Sequence, residues 1–229
     1  VELREVVARF GVPEEAVEPL GRVLAALRTE PDPHTTVPVE DAVDVHIADS
    51  LVALEIDDLR EAERIADLGA GAGFPGLPLA IARPGAEVDL VESSLRKAAL
   101  IRRLIEAAGI ENARAVPARA EDWALAEGRG AYGAVCARAV AALPVLVEYA
   151  APLLTDGGVL IAWKGSRNPE EEARGGRAAR EVGLEAVQVR PVEPYPESRD
   201  RHLHVYRKVS PTPDRFPRRA GMGAKRPLG

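Results

Sequence analysis

"IADLGAGAGFPGLPLAIA", Ile65 to Ala82, is the stretch whose reading decides the fold. A short apolar run ends on Asp67, breaks into alternate glycines at Gly69, Gly71 and Gly73, and resumes after Pro75 with helical spacing. Glycine permits backbone angles that a Cβ forbids, and it lets a ligand lie against the main chain itself. A strand that becomes a helix through such a turn is the favoured ligand position of an open parallel sheet, outside the carboxyl ends of its strands.

The sequence around this turn alternates strand and helix. "AEVDLVE" reads as a buried strand and "SLRKAALIRRLIEAAG" as an amphipathic helix closed by Gly109. "NARAVPA", "YGAVCAR", "GGVLIAWKG", "LEAVQVRPV" and "HLHVYRKV" supply five more strands, with helices expected at Ala142–Leu154 and Glu170–Val182. That pattern predicts an α/β fold with a mostly parallel seven-stranded sheet covered on both faces. Residues 1–60 read instead as a helical extension. Val17, Leu20, Leu24 and Leu27 mark one helix, Val43, Ile47, Leu51 and Leu54 a second, and "EPDPHTTVP" the loop between them. The expected division is a helical extension at 1–60, a core domain at 61–208 and a basic C-terminal arm at 209–229.

Bulk composition sets limits on function. The chain has 229 residues, 46% hydrophobic and 29% charged, ordinary for a soluble globular protein. No apolar run is long enough to span a membrane, and "VELREVVARF" lacks the layout of a secretory signal, so a cytoplasmic location is expected. The single cysteine, Cys136, excludes a disulfide framework within one chain and a cysteine-rich metal site. No metal is expected, because His202 and His204 lack acids or cysteines nearby, and a monomer is the default. The net charge of −6 hides an asymmetry: from Arg199 onward nine Lys or Arg face two acids, giving +7 there and −13 on everything before. A basic arm on an acidic body points to a polyanionic partner.

Two nucleotide chemistries use a glycine turn of this kind. Gly71-Ala-Gly73-Phe-Pro-Gly76 satisfies the dinucleotide pattern, in which a pyrophosphate meets a helix N-terminus. A sulfonium nucleoside instead calls for an acid followed by alternate glycines, because it carries positive charge and no phosphate. Asp67 at the strand end, the glycine run beginning two residues later, and Phe74-Pro75 in the segment that would meet phosphates all favour the second. An ordinary structural turn would also account for glycines alone. The next strand ends on Glu92, whose two oxygens can each accept one hydroxyl of an adenosine ribose. At the third, Glu121 or Asp122 beside Ala120 can accept an adenine amino group.

Taken together, "ADLGAGAGFPGLPLAIARP", "VDLVESSLRKAALIRRL", "ARAEDW", "CARAVAALP", "WKG", "HIADSL" and "TPDRFPRRAGMGAKRPL" resemble the RsmG or GidB family. These are bacterial guanine-N7 methyltransferases of small-subunit ribosomal RNA, and the resemblance covers nearly the whole chain. It implies a Rossmann-like class I methyltransferase fold, S-adenosyl-L-methionine as cofactor, and one guanine in a single-stranded loop of 16S rRNA near the decoding centre as target. It places Gly69 and Phe74 at the methionine and ribose end, Glu92, Ser93 and Ser94 at the ribose, and Ala120 and Glu121 at the adenine. Arg138 would face the cofactor and the target base. The loop "PDPHTTVP" departs from the family by lacking an asparagine-leucine-threonine stretch.

Guanine N7 carries a lone pair and no proton, so methylating it needs no general base, and the sequence shows neither a base–orienter pair nor a nucleophile constellation. Asp67 would supply a negative field and Arg138 a guanidinium fork for guanine O6 or phosphate. Asp67, Gly69, Gly71, Gly73, Phe74, Glu92, Ser93, Ser94, Ala120, Glu121 and Arg138 are the expected cofactor contacts. For RNA the candidates are His46, Ser50, Lys164, Arg215, Phe216, Arg218, Arg219, Lys225 and Arg226, with Phe216 stacking on an unpaired base. Two rival readings keep the pocket but change the chemistry: an NAD(P)-dependent oxidoreductase, and a non-catalytic ribosome-assembly factor.

Overall fold

A computed structural model describes residues 2–35 and 37–229. Val1 and Thr36, the latter in the loop expected between the first two helices, lie outside the described residues.

The strand candidates all pair. β1 (Arg64–Leu68), β2 (Glu87–Val91), β3 (Ala113–Val116), β4 (Tyr132–Arg138), β5 (Leu154–Lys164), β6 (Leu184–Val192) and β7 (Arg201–Lys208) form one sheet in the order β3-β2-β1-β4-β5-β7-β6. The first five strands run parallel, whereas β7 lies antiparallel between β5 and β6. Strand order reverses between β1 and β4, and such a switch point opens a crevice at the strands' carboxyl ends.

Period-two alternation divides the core into two layers. Ile65, Ala134, Cys136, Val159 and Ile161 point into one, and Ala66, Leu68, Val135, Ala137 and Leu160 into the other. The first is roofed by α1 (Leu3–Arg9), α2 (Val17–Thr29), α5 (Gly76–Ala82) and α6 (Leu95–Ala108). Behind the second stand α7 (Ala120–Trp123), α8 (Leu143–Ala150) and α9 (Pro169–Val182). Capping follows the sequence at both long helices: Ser94 Oγ accepts from the Lys97 amide, Asn168 from Glu170 and Glu171, and Gly109 and Gly183 close the C-termini in the left-handed region.

Three expectations need correction. The second N-terminal helix is not one α-helix. It runs as a π-helical turn at Val43–Ala48, α3 (Asp49–Leu51), a 3₁₀ turn at Val52–Glu55 and α4 (Asp57–Glu61). Ile47, Leu51 and Leu54 remain buried as the apolar spacing required, but Ser50 Oγ donates to the His46 carbonyl at 2.5 Å and competes for the backbone there. The helix expected through Leu154 stops at Ala150, because the carbonyls of Pro152 and Leu153 accept from Gly130, Ala131 and Tyr132 instead. Nor does the C-terminal segment stand off as an arm. Phe216 is 2% exposed in the layer behind α8 and α9, and α10 (Met222–Lys225) follows with Gly223 buried against Tyr149 and Glu148.

Candidate functional site

The glycine turn is built from carboxylates that accept its own amides. Asp67, last but one in β1, accepts the amide of Gly76, the first residue of α5, at 2.8 Å on Oδ2. Glu92, just after β2, accepts the Gly71 amide at 3.0 Å and the Ser94 amide at 2.7 Å. Both acids thus accept hydrogen bonds from the loop's own backbone. Gly69, Gly71 and Gly73 all have positive φ, at 65°, 59° and 96°. At Gly71 the nearest atom to an added Cβ is a carbonyl oxygen 3.8 Å away, so glycine there leaves the loop's outer face open for a ligand.

The two acids differ in depth. Glu92 lies at the lip, with Ser93 and Ser94 beside it. Asp67 is fully buried, which pushes its carboxyl up to about 7 against the helping Gly76 amide, and its Oδ1 has no hydrogen-bond partner among the described residues. The expectation that Asp67 touches a ligand is thus corrected: with 0% exposure it lies under the turn, where only its charge can reach a ligand. Cys136, its neighbour across the β1–β4 ladder, has its thiol pushed well up by burial and is no nucleophile.

From Glu92 a cleft runs along the ends of β1 to β3, walled by Gly69, Ser93, Ala120, Glu121, Val140 and Tyr149. Glu121 is 4% exposed; it accepts the Gly221 amide at 2.7 Å and lines the cleft beside Tyr149. Tyr149, Val140 and Gly221 carry no motif that sequence reasoning could have used. Val140 lies near Gly69 only because the chain turns sharply after β4, where Ala139 adopts φ 57°, a region that costs a non-glycine residue.

On the other side of the switch point the groups are basic. Arg138 Nη1, at the end of β4, donates to Asp49 Oδ2 at 2.7 Å and to the Val45 carbonyl at 2.9 Å. Trp163 Nε1 donates to the Asp49 carbonyl at 2.7 Å, so the N-terminal helical segment is tied to β4 and β5. Asp49, Arg138, Trp163, Lys164, Arg201 and His202 line a cavity of about 240 Å³. Arg201 and His202 joined this group unforeseen, since their position depends on β7 running antiparallel beside β5. Lys164 is only partly available, being ion-paired with Glu171 at 2.6 Å.

The expected RNA contacts divide. His46 is 4% exposed and stacks on Phe74 at 4.2 Å, with its ring pushed down to about 4 by burial and then by Arg138, so it stays neutral. Ser50 is fully buried and bonded to its own helix; neither side chain lies on an RNA-accessible surface. Phe216 is buried and cannot stack on a base, and Arg218 forks onto the buried Glu148 at 2.7 and 2.5 Å. Arg215, Arg219, Lys225 and Arg226 are exposed.

The arrangement can be tested against the two ligand chemistries. A dinucleotide would need free amides at the α5 N-terminus, yet the Gly76 and Gly71 amides already face carboxylates, which would repel a pyrophosphate. An adenosine sulfonium fits better, with acceptors at Glu92 and Glu121 and negative charge beneath the turn. Among the described residues no cluster of three or more metal-ligating side chains occurs.

Comparison with known proteins bears on the same choice. The sequence profile of the family described as rRNA small subunit methyltransferase G matches residues 35–203. A Ribosomal RNA small subunit methyltransferase G from Rubrobacter xylanophilus is 46% identical over 188 residues, covering 80% of this chain and 72% of that protein. The protein of that name from Deinococcus radiodurans is 44% identical over 207 residues, covering 90% and 78%. Among solved structures, Aeropyrum pernix fibrillarin with natively bound S-adenosyl-L-methionine is 19% identical at a TM-score of 0.55, covering 69% of this chain and 72% of that one. Cofactor-bound Rv0187 from MTB, also 19% identical, gives 0.56 over 83% and 89%. These last two share the fold.

Proposed function

As this chain belongs to the rRNA small subunit methyltransferase G family, we propose that it methylates N7 of one guanine in a single-stranded loop of 16S rRNA near the decoding centre. The cofactor is S-adenosyl-L-methionine, which supplies a methyl group already activated on a sulfonium. The observation that carries this reading is the occupation of the glycine turn's amides by Asp67 and Glu92, a site closed to pyrophosphate and suited to a cationic nucleoside.

Each group then has a task. Glu92, with Ser93 and Ser94, orients the ribose, while Ala120 and Glu121 meet the adenine. Gly69, Gly71, Gly73 and Phe74 form the floor at the methionine end, and His46 braces Phe74 by stacking. Arg138, held by Asp49 and the Val45 carbonyl, presents its remaining guanidinium nitrogens to the purine or its phosphate. No residue need remove a proton, because N7 has none, so catalysis rests on alignment and on excluding water. Asp67 lowers the energy of positive charge as it passes from the sulfonium to the purine. Arg215, Arg219, Lys225 and Arg226 offer exposed charge to the RNA backbone, with Lys164 once its pair with Glu171 opens. We read the protein as a cytoplasmic monomer acting on the small subunit.

The test is the modified nucleoside. The protein, S-adenosyl-L-methionine with a labelled methyl, and small subunits from cells lacking the protein are incubated, and the RNA is digested. Label in 7-methylguanosine supports the reading. Label in another nucleoside overturns the N7 assignment, and absence of label favours a non-catalytic assembly role.

A further inference from the structure

The C-terminal segment binds back over the acidic half of the cleft. Four contacts place it. Phe216 is anchored in the core behind α8 and α9. Arg218 spans the buried Glu148 with both Nε and Nη2 and donates to the Arg226 carbonyl at 2.9 Å, closing the segment into a loop. Inside that loop Gly221, with φ 81°, points its amide at Glu121 Oε1 at 2.7 Å. Gly223 lies so close to Tyr149 that a Cβ would come within 2.9 Å of the ring. Tyr149 shares the cleft wall with Glu121, and its hydroxyl stays protonated because burial and the acid's charge push it up to about 12.

Glu121 thus takes its donor from the terminal segment rather than from its own helix, with Tyr149 of α8 on the same cleft wall. A buried carboxylate held on one oxygen by a backbone donor has its rotation restricted, which sets the directions of its remaining lone pairs. Without that donor it is free to rotate. We propose that the strap from Phe216 to Arg226, clasped by Arg218 on Glu148, is a positioning element for the cofactor's base: the Gly221 amide sets the Glu121 carboxylate so that it reads an exocyclic amino group. The inference rests on the cofactor reading given above. It assigns to the terminal segment a role in selecting a nucleoside, separate from any contact of its exposed cations with RNA.

The experiment compares S-adenosylhomocysteine with S-inosylhomocysteine, in which an oxo group replaces the amino group, by titration calorimetry. The wild-type chain should prefer the adenosyl compound by about tenfold or more, the worth of one hydrogen bond to a charged acceptor. A chain ending at Ala220 keeps Phe216 and Arg218 but loses the Gly221 amide. It should bind the adenosyl compound about tenfold more weakly, with the inosyl affinity nearly unchanged and the preference largely gone. Arg218→Lys, which retains the charge and every other residue but loses the fork, should fall between the two. Thermal unfolding of all three checks that each is folded. Equal weakening toward both compounds, or an unaltered preference in both variants, would mean that the strap only supports the fold and would overturn the inference. Lack of preference in the wild type would overturn it too. Failure of the wild type to bind either compound would instead remove the cofactor reading and the inference with it.

Discussion

The two halves of the sheet's carboxyl edge differ: acids stand over one, and over the other stand cations, two of them ion-paired with Asp49 and Glu171. Over β1, β2 and β3 stand Asp67, Glu92 and Glu121, each accepting a backbone amide. Over β4, β5 and β7 stand Arg138, Lys164 and Arg201, with His202 beside them. Charge here is partitioned by strand, and the division falls at the switch point between β1 and β4. A cationic nucleoside and a polyanion can bind side by side on such an edge without competing for one surface. The acids also do local work, since they satisfy the amides that make the turn possible. On the basic side Arg138 is held by Asp49 from outside the sheet, so that half depends on the N-terminal helices.

Losing a group on the acidic side at the lip should have the largest effect. Glu92→Ala removes the two oxygens proposed to hold the ribose and frees the Gly71 and Ser94 amides, and S-adenosyl-L-methionine affinity should fall about 100-fold, as read by calorimetry. Cofactor affinity within a few-fold of wild type would break the assignment of that half. Arg138→Lys tests the other side. A point charge cannot reproduce a planar guanidinium that bonds Asp49 and the Val45 carbonyl through Nη1 and keeps its other nitrogens for the cavity, so methyl transfer should drop roughly tenfold to 100-fold with cofactor affinity much less affected.

Asp67 sharpens the comparison through pH. Its native carboxyl is raised from the usual 3.8 to about 7, so it holds its proton more tightly than the unfolded chain does. The resulting stability is fully present below about pH 4 and is lost as pH rises through about 7. Ionisation over the same range strengthens the negative field, so affinity for the sulfonium should increase through pH 7 by about three- to tenfold relative to the neutral thioether S-adenosylhomocysteine. Asp67→Asn should flatten both profiles. A ratio that does not change with pH in the wild type would show that the buried acid is silent toward the cofactor. The smallest effect is expected at the rim: Arg219, Lys225 and Arg226 replaced together by alanine should weaken RNA binding several-fold at moderate salt and reduce the salt slope by up to about three, leaving cofactor affinity intact.

What was legible in the sequence depended on local chemistry. The glycine turn, the seven strands and the acids at three strand ends each follow from residues adjacent in the chain. So does the helix end at Gly109. The basic half was harder to read, because Arg201 and His202 reach Arg138 only through an antiparallel pairing that periodicity does not encode. His46 and Ser50 carried a polar, exposed reading on a helix whose π-helical turn then buried both. The terminal segment misled most. Its charge density suggested a free arm, yet one phenylalanine and one arginine facing a buried glutamate hold it on the domain. Net charge reports on solubility and partners, and two well-placed contacts outweigh it in deciding where a segment lies.

The claim that the turn after β1 holds a sulfonium nucleoside is tested most directly by titrating the unmodified protein with S-adenosyl-L-methionine and, separately, with NADH. Micromolar binding of the first and none of the second is the predicted result. Tight uptake of NADH with no heat from the methyl donor would contradict the account at its root.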